Sequence, residues 1–117
     1  MSVDQMVHHV NRAMESALGR VQVKRIKMPL PNFIMKFLVI NVPWPKGAPT
    51  APEFISIGDR FDFEAERTRC LGLIDEFVAR PLDAKWPDHQ SFGAVSGKDY
   101  SQLHAKHLNH HLRQFGA

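Results

Sequence analysis

The sequence predicts an all-α helical bundle in one domain spanning residues 1–117. Three observations carry this expectation. Two long stretches, 2–18 and 60–80, repeat apolar side chains at helical spacing. A third, 96–116, bears a helix-start signal at one end and a helix-stop signal at the other. The remaining apolar run, 33–40, has no second strand candidate to pair with, so a short helix is preferred there over a strand.

The first helix opens on Ser2 and Gln5, a capping-box pair, and Gly19 ends it. Val3, Met6, Val7, Val10, Ala13, Met14, Ala17 and Leu18 form its apolar stripe. His9 lies roughly 110° from the centre of that stripe and His8 roughly 150°. His9 therefore borders the apolar face, beside Met6 and Ala13, whereas His8 faces outward. If either imidazole enters the bundle it is His9; standing alone, His9 reads as a boundary polar residue. Residues 20–31 are basic and then broken by Pro29 and Pro31, and read as a connection. Residues 41–58, with Pro43, Pro45, Gly47, Pro49 and Pro52, form a long irregular segment that Trp44 and Phe54 can anchor. The 60–80 helix starts near Asp59 or Asp62, and Pro81 closes it. Its stripe is Phe63, Cys70, Leu71, Ile74, Phe77 and Val78, and Glu64 and Glu66 suit the positive end of the helix dipole. Cys70 on that stripe reads as a small hydrophobe. Residues 81–95 are a loop, and His89 within it reads as a loop histidine rather than a substrate-site residue.

The last helix holds four of the seven histidines. Ser96 caps it with Asp99 three residues on, and Gly116 stands at the C-cap. With Leu103 at zero, His107 falls near 40°, Tyr100 near 60°, His111 near 80° and His104 near 100°, with Phe115, Leu108 and Leu112 at roughly 120–180°. Imidazoles thus sit within the apolar face. His107 and His111 are four apart, a spacing that lets two ring nitrogens converge on one metal ion. Burying several imidazoles without partners is costly, and one ion supplies a partner to all of them. Two plainer readings stay open: inward histidines hydrogen-bonded in the core, and a surface cluster that binds metal only adventitiously. The spacing of these histidines within an amphipathic pattern argues against a purification tag.

Composition narrows the function classes. Net charge is +3 with neutral histidines, and Lys24, Arg25 and Lys27 are the one basic cluster. A nucleic-acid binder needs a stripe of cations with interleaved aromatics, so no nucleic-acid partner is expected. No run of about 18 apolar residues exists, so no membrane span is expected. The start has neither the basic nor the apolar region of a secretory leader. A single cysteine forms no internal disulfide, which fits a cytoplasmic location.

The segment from Lys106 to Gly116, ending in His110-His111-Leu112-Arg113-Gln114-Phe115-Gly116, resembles the last helix of the DinB-like (YfiT-like) superfamily, and within it one branch that is a domain of unknown function. The stretch Asp4 to Gly19 is similar to the branch's first ligand-bearing helix. His89-Gln90-Ser91-Phe92-Gly93 is similar to its H-P-x-F-G loop, with Gln90 in place of the proline. The resemblance implies an up-down four-helix bundle. It implies a divalent metal, whether zinc, nickel or iron, held by His9, His107 and His111, with His104 and His110 outside the ligand set. It also implies, as one prospect, transfer or isomerisation of a low-molecular-weight thiol. The alternative is a metal-binding or dimeric interaction module without turnover, which a fourth protein ligand such as His104 or His110 would favour. No carboxylate stands out as a general base. Relatives carry a further helix before the one bearing His9. Its absence here leads to two alternative expectations: a homodimer that buries the 2–18 helix or the 33–40 segment, or a natural start further upstream that supplies the helix.

Overall fold

A computed structural model describes residues 2–21, 23–44 and 59–116. Four helices follow in order: α1 Val3–Ala17, α2 Asn32–Asn41, α3 Phe63–Ala79 and α4 Gly97–Gln114. Among the described residues the only β-type pairing is an isolated bridge between His89 and Gly93. The all-helical expectation holds, including the short helix chosen for 33–40. Phe54 lies outside the described residues.

Each boundary has a local cause. The expected capping box is present at the head of α1, where Ser2 N–H donates to Gln5 Oε1 at 2.8 Å. Gly19 adopts φ +82°, the left-handed turn that ends α1 at little steric cost. The Asp62 carboxylate accepts from Ala65 N–H at 3.2 Å and starts α3. Ser96 and Asp99 exchange both bonds of a capping box at the head of α4. Gly97 is required there for another reason. A Cβ at this position would lie 2.4 Å from Trp86 Nε1 and 2.5 Å from the Leu82 carbonyl oxygen, so only glycine lets α4 start against the loop.

The core is built on α1. Met6, Val10, Met14, Ala17 and Leu18 pack with Leu73 and Phe77 of α3, Trp86 of the 81–95 loop and Tyr100 of α4. The buried aromatics place their polar ends on carbonyls: Trp86 Nε1 donates to Pro81 O at 3.2 Å and Tyr100 Oη to Pro87 O at 2.7 Å. The anticipated α3 stripe is corrected in part. Leu73 is buried, whereas Phe63, Leu71 and Val78 are exposed. The inward line runs Cys70, Leu73, Ile74, Phe77 at three- and four-residue steps, and Leu71 and Val78 lie one position past it. On α4, Leu112 and Phe115 likewise turn to solvent.

A polar interface joins α1 to α3 where the sequence suggests a solvent face. Asn11 is fully buried and donates to the Glu66 carbonyl at 3.0 Å and to its carboxylate at 2.8 Å. His8 is not outward as expected. Its ring stacks on Phe61 at 3.8 Å, and Nδ1 meets Glu66 Oε1 at 3.1 Å. Arg69 adds ion pairs to Glu66 and Glu15. Asp4 accepts from Ser2, Phe61 N–H and Arg60. The Ser2 hydroxyl foremost, then the Phe61 N–H, holds its carboxyl down at about 2. Polar residues can be buried when each meets a partner across the interface.

Helix α2 lies along α4 in the same direction. Lys36 Nζ pairs with Asp99 at 3.2 Å near one end. Near the other, Lys106 Nζ donates to the carbonyls of Val39 (2.6 Å) and Val42. Those carbonyls belong to the unsatisfied C-terminal end of α2, so Lys106 acts as its cap.

Candidate metal centre

His9 on α1 and His107 and His111 on α4 bring their imidazoles together where the two helices meet. His9 Nε2 is 2.9 Å from His107 Nε2, and His111 Nε2 is 3.0 Å from His107 Nε2. One ligand atom from each lies within 4.8 Å of the others. Two nitrogens bound to one ion at about 2.0–2.1 Å stand about 2.9–3.4 Å apart, for bond angles from a right angle to tetrahedral. The two separations from His107 Nε2 fall in that range, and a set of three imidazoles is one that a divalent transition metal accepts. The rings meet edge to face, at 74–78° to one another.

Local folding explains why these three meet. The i, i+4 spacing stacks His107 and His111 on one face of α4. His9 is 5% exposed at the α1–α4 contact, and His111 is 8% exposed. Burial foremost, then the neighbouring imidazoles of His9 and His111, holds the His107 pKa well below the ordinary imidazole range. Burial lowers His111 to about 4, partly opposed by its bond to Gln114. Both rings are thus neutral near pH 7, as metal ligands must be. From unperturbed imidazoles the sequence places proton competition near pH 6.5; burial moves it lower.

The other histidines do not join. His104 is buried one turn before His107, between Tyr100 and Phe77, with ring centroids 6.4 Å from His107. Burial lowers its pKa to about 4, and its Nδ1 has no hydrogen-bond partner. His110 packs against His111 and Trp44. Among the described residues no fourth ligand completes the group. His89 is a loop element: its Nδ1 accepts from Ser91 N–H at 3.0 Å, its ring stacks on Phe92 at 4.1 Å, and burial lowers its pKa to about 3. The Cys70 thiol is half-buried in α3, and burial foremost raises its pKa, which suits packing rather than ligation.

Sequence reasoning missed three supporting residues. Trp44 stands beside the site, 5.8 Å from the His107 ring, and its Nε1 donates to Val39 O at 2.7 Å. Lys106 lies over the Trp44 ring at 5.1 Å while capping α2, so it fixes that wall. Gln114 Oε1 meets His111 Nδ1 at 3.0 Å. No periodicity marks Trp44 or Lys106, because their partners are main-chain atoms at the end of α2. Gln114 carried a signal, its i+3 spacing from His111. Concavities of about 260 Å³ (Ser16, Pro87 and Asp88 among its lining) and 330 Å³ (Asn32, Lys36 and Phe92 among its lining) include none of the three imidazoles. Donor convergence, not cavity size, marks the site.

Fold and site together define a helical-bundle protein in which three imidazoles from two helices lie close together. The family model described as "Protein of unknown function (DUF1569)" matches residues 2–117. The chain belongs to this family. No curated protein and no solved structure matches it. Among the described residues no helix is long and apolar enough to cross a membrane.

Proposed function

We propose that this protein is a DinB-like metal-centre protein in which His9, His107 and His111 hold one divalent ion, zinc, nickel or iron, with a coordination position left for a small ligand. The observation that carries this is the meeting of three Nε2 atoms from two helices with no fourth donor among the described residues. Such a centre, when loaded, supplies Lewis acidity that makes a bound water or thiol a nucleophile near neutral pH. The three-donor set favours turnover, on a substrate such as a low-molecular-weight thiol, over the alternative of a closed binding module. Around it the chain supplies an aromatic wall at Trp44 and a buried imidazole at His104. The single cysteine accords with a cytoplasmic setting.

Elemental analysis of untagged protein, followed by zinc titration against a chromophoric chelator at pH 7.5, tests the reading. One metal per chain is expected, with a change in Trp44 fluorescence that Trp44→Phe abolishes. Protein that takes up no metal from zinc, nickel or ferrous iron removes the proposal. A screen for transfer of small thiols to electrophiles then separates an enzyme from a binding module.

A homodimer fits the exposed face of α2. No residue of α2 is buried, and Phe33 and Phe37, four apart on one face, are 71% and 61% exposed. Helix α1 is already enclosed by its neighbours, so of the two candidate surfaces α2 is the one left to pair, most simply about a two-fold axis. Sedimentation should show a dimer that Phe33→Ser with Phe37→Ser converts to monomer; a wild-type monomer at tens of micromolar concentration rules the dimer out.

A further inference from the structure

The His111 ring has two nitrogens, and only one arrangement of its proton leaves Nε2 free to bind a metal. The ring must carry its proton on Nδ1. Gln114, three residues on in the last turn of α4, places Oε1 3.0 Å from that Nδ1. Its amide nitrogen lies 3.4 Å from His110 Nε2. With the amide this way round, its NH₂ donates to His110 and its carbonyl accepts the Nδ1 proton of His111. Turned over, the amide would donate to Nδ1, move the His111 proton to Nε2 and close that nitrogen to a metal. Nε2 is also the atom that meets His107 Nε2 at 3.0 Å. The amide orientation therefore decides whether His111 offers the lone pair of its Nε2 to the cluster.

We infer that Gln114 is the positioning residue that holds His111 in its metal-competent tautomer, with His110 keying the amide. The inference rests on the metal centre proposed above and adds to it a residue that binds no metal. Outer partners of ligating histidines orient the ring and raise its basicity, and losing one typically weakens metal binding ten- to a hundredfold. Gln114 is exposed, so the lower part of that range, about tenfold, applies here.

Three variants separate positioning from charge and from folding. Gln114→Leu removes the acceptor. Gln114→Glu keeps an acceptor and can only accept. Arg113→Leu changes the local charge by the same amount as Gln114→Glu without touching His111 Nδ1. Long-range proton–nitrogen NMR of metal-free protein reads the His111 tautomer, and chelator competition reads zinc affinity. The Nδ1–H form is expected in wild type, Gln114→Glu and Arg113→Leu, and its loss in Gln114→Leu. Zinc affinity should fall about tenfold in Gln114→Leu and be equal to or above wild type in Gln114→Glu, with thermal melting of all three close to wild type. An unchanged tautomer and affinity in Gln114→Leu overturns the inference, as does a Gln114→Glu variant as weak as Gln114→Leu. Wild-type protein that binds no metal overturns the metal centre instead, while the tautomer measured without metal still decides the role of Gln114.

Discussion

Replacing His107 with alanine is expected to weaken zinc binding by more than about a hundredfold, beyond what loss of an outer partner costs. His107 is the middle of the cluster, since its Nε2 meets both His9 Nε2 and His111 Nε2. Without it, the two remaining donors sit on different helices, and each must find water or a weaker ligand to complete the ion's shell. His8→Ala is the control for losing a histidine from the chain. His8 sits on α1 one position from His9 but faces Glu66 and Phe61, so its zinc affinity should match wild type. The metal-free His107→Ala protein should still fold, because the core around Met14, Val10 and Phe77 does not include this ring. Zinc at a hundred times its dissociation constant stabilises wild type by about 2.7 kcal/mol, and that gain should vanish in the variant. Isothermal titration and thermal melting with and without zinc measure both effects. A variant that binds zinc as tightly as wild type removes His107 from the site.

The metal-free protein should lose most of its stability between about pH 6.5 and 4, with acid unfolding inside that interval. Burial holds His104 and His111 at about 4, His89 at about 3 and His107 well below the ordinary range. In the unfolded chain these imidazoles take up protons near 6.5. Below that pH the unfolded state binds more protons than the folded one, so stability rises with pH. It is complete above about 6.5 and drains as pH falls toward the folded values. Each unit of depression is worth about 1.4 kcal/mol, so the depressions of His89, His104 and His111 together cost on the order of 10 kcal/mol by pH 4, against a typical domain stability of 5–15 kcal/mol. Carboxylates contribute at lower pH. The folded-state pKa values of Asp4, Glu66 and Asp99 are lowered, so their share persists until pH drops through the ordinary carboxylate range. Urea unfolding at pH 7.5, 6.0, 5.0 and 4.5 maps the slope, and His104→Phe should flatten it by that ring's share. Stability that is level from pH 7 to 4.5 would show that the imidazoles are not buried as described. Saturating zinc, which competes with protons for the same nitrogens, should move the acid midpoint downward.

Much of the helical framework was legible in the residues. Caps at Ser2, Asp62 and Ser96, stops at Gly19 and Pro81, and a 3.6-residue apolar period are local properties, and they placed α1, α3 and α4; α2 was preferred as a helix because no strand candidate could pair with it. The pairing of His107 with His111 was equally local, since two side chains four apart on one helix share a face wherever the helix goes. Projection placed His9 only at the border of the apolar stripe, and the resemblance to a family, not the projection, made it a ligand candidate. Tertiary structure decided the rest, and the reason is the same in each case: the partner lies on another element. His8, Asn11 and Glu15 look like a solvated face until Glu66 and Arg69 of α3 meet them. Leu71 and Val78 look like core until the packing of α3 on α1 fixes which line points inward. Trp44 and Lys106 become a wall beside the imidazoles only when the end of α2 docks on α4. Local pattern is enough to mark the three long helices and the histidines that share a face. Only the fold decided which polar groups are paired, and therefore which can be buried, because hydrogen bonds and desolvation act between chain segments whose proximity no local pattern records.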